Sequence, residues 1–89
     1  MGKIRRHYIF SGEVQGVGFR YAASHTARHL GVTGWVRNNY DGTVEMEAEG
    51  TAADLSELIA ALRDWRFGSV DDIDSEEIPL EHDSFFDVL

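Results

Sequence analysis

The sequence predicts an α+β sandwich, with two helices on one face of an antiparallel sheet of four to five strands. Three observations carry that reading. Apolar residues repeat with a period near two around residues 4–12 and 44–48. They repeat at helical spacing around residues 19–30 and 55–62. The elements also follow the order strand, helix, strand, strand, helix, strand. With 89 residues, one domain over 1–89 is expected, built on a thin core.

The first strand, β1, is expected from Ile4 to Gly12. Tyr8 and Phe10 share one side, and His7 and Ile9 the other. Residues 20–30 fit a helix, α1. Phe19, Ala23, Thr26, Ala27 and Leu30 make its apolar face, while Tyr21, His25, Arg28 and His29 lie opposite. Gly31 is placed to stop it. "VTGWVRN", residues 32–38, reads as β2, and Asp41-Gly42 as a tight reversal. In "TVEMEAEG", residues 43–50, Val44, Met46 and Ala48 point one way and Glu45, Glu47 and Glu49 the other. That predicts β3 with one face buried and a solvated row of glutamates on the other.

Thr51 followed by Asp54 marks the start of a second helix, α2. Leu55, Leu58, Ile59 and Leu62 give its core face, Trp65 and Phe67 are expected to cap the core beneath it, and Gly68 to end it. Val70 and Ile73 open an acidic edge strand, β4, and Phe86 with Val88 a short final strand, β5. The arrangement is a split βαββαβ, or ferredoxin-like, fold. A right-handed crossover through α1 makes β1 and β2 parallel. Their C-terminal ends, one leading to Val14–Arg20 and the other ending at Asn38, then meet at one edge of the sheet.

Composition excludes several functions. The absence of cysteine removes disulfides, thiolate metal sites and thiol nucleophiles. No apolar run is long enough to cross a membrane, and the basic start lacks the apolar stretch of a secretion signal, so no membrane partner and a cytoplasmic location are expected. A formal charge of −8 opposes nucleic-acid binding. The basic residues are seven Arg and one Lys. A Lys-poor acidic surface suits a high-salt cytoplasm, and equally an ordinary acidic protein. Seven of the sixteen acids lie between Asp71 and Asp83.

The stretch "GEVQGVGFR", Gly12–Arg20, carries the chemistry. Glycines let backbone N–H groups converge on one point, and such a concavity binds anions. The start of α1 adds unpaired N–H groups, and Arg20 adds a planar two-pronged donor suited to phosphate. The loop lacks the Gly-Lys-Ser/Thr of a Walker loop, and Tyr21 stands where a dinucleotide fingerprint has its third glycine. From the loop alone two readings stay open: a phosphoryl cradle, or a glycine-rich turn with a surface arginine.

Two segments then point to a family. "GEVQGVGFR" has the form Gly-x-Val-Gln-Gly-Val-x-Phe-Arg, and "GWVRNNYDGTVEMEAEG", Gly34–Gly50, has Gly-Trp-Val-x-Asn, then Gly-x-Val, then a closing Gly. Both resemble the signatures of the acylphosphatase family, without a gap. The resemblance implies hydrolysis of a small-molecule acyl phosphate to a carboxylate and inorganic phosphate. It implies that Arg20 binds the phosphoryl group, that Asn38 holds the attacking water, and that amides of Gln15, Gly16, Val17, Gly18 and Phe19 complete the phosphate site. It implies no metal and no organic cofactor. Gly18 falls at a position the family leaves variable. The leaving carboxylate is a weak base, so a general acid is unnecessary, and positioning with charge stabilisation can suffice.

Two other functions compete. One is a non-catalytic phosphate- or carbamoyl-phosphate-binding module, since related domains open larger hydrogenase-maturation proteins; a chain that stops after one domain favours a free enzyme, and a monomer is expected. The other is an RNA-binding domain of the same topology, which needs aromatic residues where β3 carries glutamates. His25 and His29 stand four residues apart, a metal-compatible spacing without an obvious further ligand, and are expected to be exposed helix residues. Trp35 is expected to pack on the sheet and Arg37 to be exposed on it.

Overall fold

A computed structural model describes residues 2–89. The elements are β1 (Ile4–Glu13), α1 (Phe19–Leu30), β2 (Thr33–Asn38), β3 (Val44–Gly50), α2 (Ala52–Arg63), β4 (Ser69–Ile78) and β5 (Phe86–Val88). The sheet runs β4-β1-β3-β2-β5. β3 is antiparallel to both β1 and β2, so those two run in the same direction on either side of it.

The core forms where the period-two and helical patterns meet. Tyr8 and Phe10 of β1, Val36 of β2 and Val44, Met46 and Ala48 of β3 face Phe19, Ala23 and Ala27 of α1 and Leu55, Leu58 and Leu62 of α2. Phe10 and Phe19 meet edge to face, with centroids 5.1 Å apart. Thr51 caps α2 by accepting the Asp54 N–H at 3.1 Å, and Gly31 closes α1 in a left-handed conformation. At the β2–β3 reversal, the Thr43 N–H and hydroxyl both donate to Asp41 and hold its carboxyl below the usual range.

Four expectations need correction. The fifth strand is parallel to β2, so the sheet is mixed rather than antiparallel. The reason lies in residues 79–85, which carry the chain from the β4 edge to the opposite edge across the face without helices. There Glu49 accepts the N–H groups of Glu81 and His82, and Asp83 accepts from Arg5. That crossing also overturns the solvated glutamate row. Glu49 is only 4% exposed and Arg5 only 1%. The Arg5 guanidinium reaches Glu47 at 2.9 Å, Glu49 at 3.2 Å and Asp83 at 3.0 Å. Glu45 is bound by His7 and Arg37.

Third, α2 ends at Arg63 rather than near Gly68. The Asp64 and Trp65 N–H groups fold back on the Leu62 carbonyl, and the Trp65 ring leaves the helix axis to bond elsewhere. Fourth, Trp65 packs against the core but Phe67 is 64% exposed. Trp35 and Arg37 lie together on the outer face, with the guanidinium 5.2 Å from the ring centroid. His25 and His29 are exposed, as expected.

Candidate active site

The site is built at the shared end of β1 and β2. After β1 the chain turns inward at Val14, which is buried, and then passes through Gly16 and Gly18. Gly18 sits at the N-cap of α1 with φ +75°, a region L side chains avoid, and no side chain caps the helix. The first helical bond runs from the Ala22 N–H to the Gly18 carbonyl. The N–H groups of Phe19, Arg20 and Tyr21 therefore have no acceptor within the helix. No acidic residue stands in this first turn to quench the positive end of the helix dipole.

Two side chains hold the loop from either flank. The Gln15 amide donates to the Asn39 carbonyl at 2.7 Å and to the Thr43 carbonyl at 2.8 Å, which ties the loop to the β2–β3 reversal. The Trp65 indole donates to the Val17 carbonyl at 2.8 Å, which ties it to the end of α2. Sequence reasoning gave Gln15 a backbone role and put Trp65 in the core. Neither side-chain bond leaves a signal in spacing, because the partners lie 24 and 48 residues away.

Arg20 and Asn38, 18 positions apart in sequence, line one cavity of about 420 Å³. Gly16, Gly18 and Phe19 share its wall, whereas Gln15 and Val17 do not. Arg20 is anchored by a 2.8 Å bond to a main-chain oxygen of Leu89, the last residue of the chain. A guanidinium has five N–H donors, so others remain for a ligand. Asn38, the last residue of β2, is exposed and pairs with Val44 across the ladder. The wall also includes Tyr21, Ser24, Arg28 and Val88, and none of its residues has an acidic side chain. In a chain of net charge −8, a cavity with two arginines and no acidic side chain is a local positive site.

A larger groove of about 580 Å³ lies between α2 and the β4 edge. It contains neither Arg20 nor Asn38, and Ile4, Leu55, Ile59 and Ile73 dominate its walls. It arises because two helices of about 10 Å diameter cannot cover five strands spaced about 4.8 Å apart. Among the described residues, no group of three or more His, Asp or Glu side chains could hold a metal ion.

Fold and cavity define a class: a ferredoxin-like sandwich that presents an arginine-bearing pocket beside a glycine-rich loop, where two strands end together. The acylphosphatase family model matches residues 6–88, and the chain belongs to the acylphosphatase family. An acylphosphatase of Bifidobacterium longum is 51% identical over 59 residues, covering 66% of this chain. The match spans only 61% of that relative's length. The crystal structure of acylphosphatase from Bacillus subtilis superposes with a TM-score of 0.92 at 36% identity, over 97% of this chain and 98% of that one. A full-length HypF in its phosphate- and nucleotide-bound form is similar over 99% of this chain but only 12% of its own, with a TM-score of 0.92 and 26% identity.

Proposed function

We propose that the protein hydrolyses acyl phosphates to a carboxylate and inorganic phosphate. The observation that carries this reading is the convergence of Arg20 and Asn38 on one cavity, lined by no acidic side chain, beside the glycine-rich loop. In this reading Arg20 and the loop amides around Gln15–Phe19 hold the phosphoryl oxygens and stabilise the charge that spreads over them. Asn38 fixes a water in line with the scissile bond. The water oxygen bonds to phosphorus while the phosphorus–acyl oxygen bond breaks. The electron pair leaves on the carboxylate, and the water proton passes to a phosphate oxygen. A weakly basic leaving group needs no proton, which suits a cavity without an acid.

The protein is further read as a single domain over 1–89 that acts as a monomer, without metal, in the cytoplasm. Its lack of cysteine fits a reducing compartment. No described helix is long and apolar enough to cross a membrane.

The test is phosphate release from acetyl or benzoyl phosphate in the presence of a chelator, with wild type beside Asn38→Ala. Turnover by wild type and its loss in the variant are expected. Comparable rates from both, at the level of the uncatalysed reaction, would instead favour a phosphate- or carbamoyl-phosphate-binding module.

A further inference from the structure

The proposed reaction employs one of the two arginines in the cavity and leaves the second without work. Arg28 lies on α1 eight residues after Arg20, which is about 12 Å along the helix axis. Ser24 stands midway between them on the same wall. Both guanidinium groups are anchored to one stretch of chain. Arg20 donates to a main-chain oxygen of Leu89 at 2.8 Å, and Arg28 to the Phe86 carbonyl at 2.9 Å. Residues three apart along an extended chain are about 10 Å apart. Helix rise and strand rise thus agree on two fixed cations separated by roughly 10 Å along one groove. Among the described residues, no acidic side chain forms a salt bridge with either arginine.

We infer that Arg28 is a specificity residue which selects acyl phosphates whose acyl chain ends in a second anionic group. This rests on the acyl phosphate reading above. With the phosphoryl group at Arg20, the acyl chain runs along the groove past Ser24, and a terminal carboxylate meets Arg28. A chain of about four to six carbons, at about 1.5 Å per bond, spans the distance left between the two guanidinium groups. Without such a local cation, the net charge of −8 would repel a substrate of this kind.

The experiment compares succinyl phosphate with butyryl phosphate, which has the same chain length without the terminal charge. The readout is phosphate release by wild type, Arg28→Gln and Arg28→Lys. Wild type is expected to show a KM for succinyl phosphate about 3- to 5-fold lower, the scale of an exposed ion pair. That preference should shrink as salt is raised. Arg28→Gln should bring the ratio of kcat/KM values to one or below, and Arg28→Lys should retain part of it. Hydrolysis of butyryl phosphate with no preference for succinyl phosphate in wild type would overturn the inference and leave the acyl phosphate reading standing. An equal preference in Arg28→Gln would overturn it too. Hydrolysis of neither substrate would remove the reading and the inference together. The salt dependence in wild type needs no variant, so a misfolded Arg28→Gln protein leaves that arm decisive.

Discussion

The indole N–H of Trp65 donates to the Val17 carbonyl at 2.8 Å, joining the end of α2 to the middle of the glycine-rich loop. In a trans peptide the carbonyl and the following N–H point in opposite directions. Holding the Val17 carbonyl toward Trp65 therefore directs the Gly18 N–H away from it. Trp65 acts as a positioning residue for the loop amide. Trp65→Phe keeps the ring and removes the donor. It should weaken inorganic phosphate binding and lower kcat/KM by about 3- to 10-fold, the scale of one lost hydrogen bond. Titration calorimetry and steady-state kinetics check this, at temperatures well below a Tm that the lost bond should lower by several degrees. An unaltered phosphate affinity would show that the bond orients nothing.

Arg20 and Asn38 carry different work in the proposed reaction, and their variants should separate it. Arg20→Lys loses the two-pronged geometry, so phosphate affinity and turnover should fall together. Asn38→Ala should spare phosphate affinity and lower kcat by about 10²- to 10³-fold, as for one preorganised donor. Phosphate inhibition constants beside kcat give the comparison. Equal loss of phosphate affinity in both variants would count against this division.

Glu49 links acid stability to the strap that crosses the outer face. Burial disfavours its charge, but the Glu81 and His82 N–H groups and the Arg5 guanidinium prevail and hold its carboxyl below the ordinary value of 4.5. The bond from His7 does the same for Glu45. A carboxyl with a lowered folded-state pKa contributes stability that is present above the unfolded value and lost as pH falls through the folded one. Tm should therefore be level above about pH 5 and decline below about 4.5. Glu49→Gln should start from a lower Tm and show a shallower acid decline. Thermal melts between neutral and acid pH measure both slopes, and parallel slopes would remove Glu49 from the account.

Gly34, the first residue of the second signature segment, is required by packing. Its φ is +140°, and a Cβ there would lie 1.9 Å from the Glu47 carbonyl oxygen in the neighbouring strand. The obstacle is ladder backbone, which cannot swing aside as a side chain can. Gly34→Ala should cost on the order of 3 kcal/mol, through strain and a loosened β2–β3 pairing. Urea unfolding would reveal it as a lower midpoint. A change below about 1 kcal/mol would mean that the strands separate at little cost.

The two helices, the first four strands and the meeting of Arg20 with Asn38 were legible because each follows from local periodicity or simple topology. Tyr8, Phe10, Val44 and Met46 face the core as their alternation requires. The parallel direction of β5 was not legible, since residues 79–85 carry little periodicity and their path is set by Glu49, three decades earlier in the chain. Nothing in the local sequence distinguishes Arg5 from Lys3 and Arg6 beside it. Its burial depends on Glu47, Glu49 and Asp83 arriving from elsewhere. Arg28 was assigned to the outer side of α1 for the same reason. The strand that turns its surroundings into a cavity wall was only a short apolar pair in the sequence.

The acidic edge strand predicts a response to salt. Asp72, Asp74 and Glu76 alternate along β4 and are exposed. They add to a net charge of −8, and folding gathers that charge into a compact molecule, where it repels itself more than in an expanded chain. Screening this repulsion should stabilise the fold, because at about 1 M salt the Debye length is about 3 Å, shorter than the spacing of alternate residues along a strand. The buried Arg5 pairs are screened far less and should not offset the gain. Tm should therefore rise by several degrees between about 0.05 M and 1 M potassium chloride. The triple variant Asp72→Asn, Asp74→Asn, Glu76→Gln should begin at a higher Tm in low salt and gain less from added salt. If wild type and variant gain equally, the stabilisation comes from general salt effects on apolar burial rather than from β4.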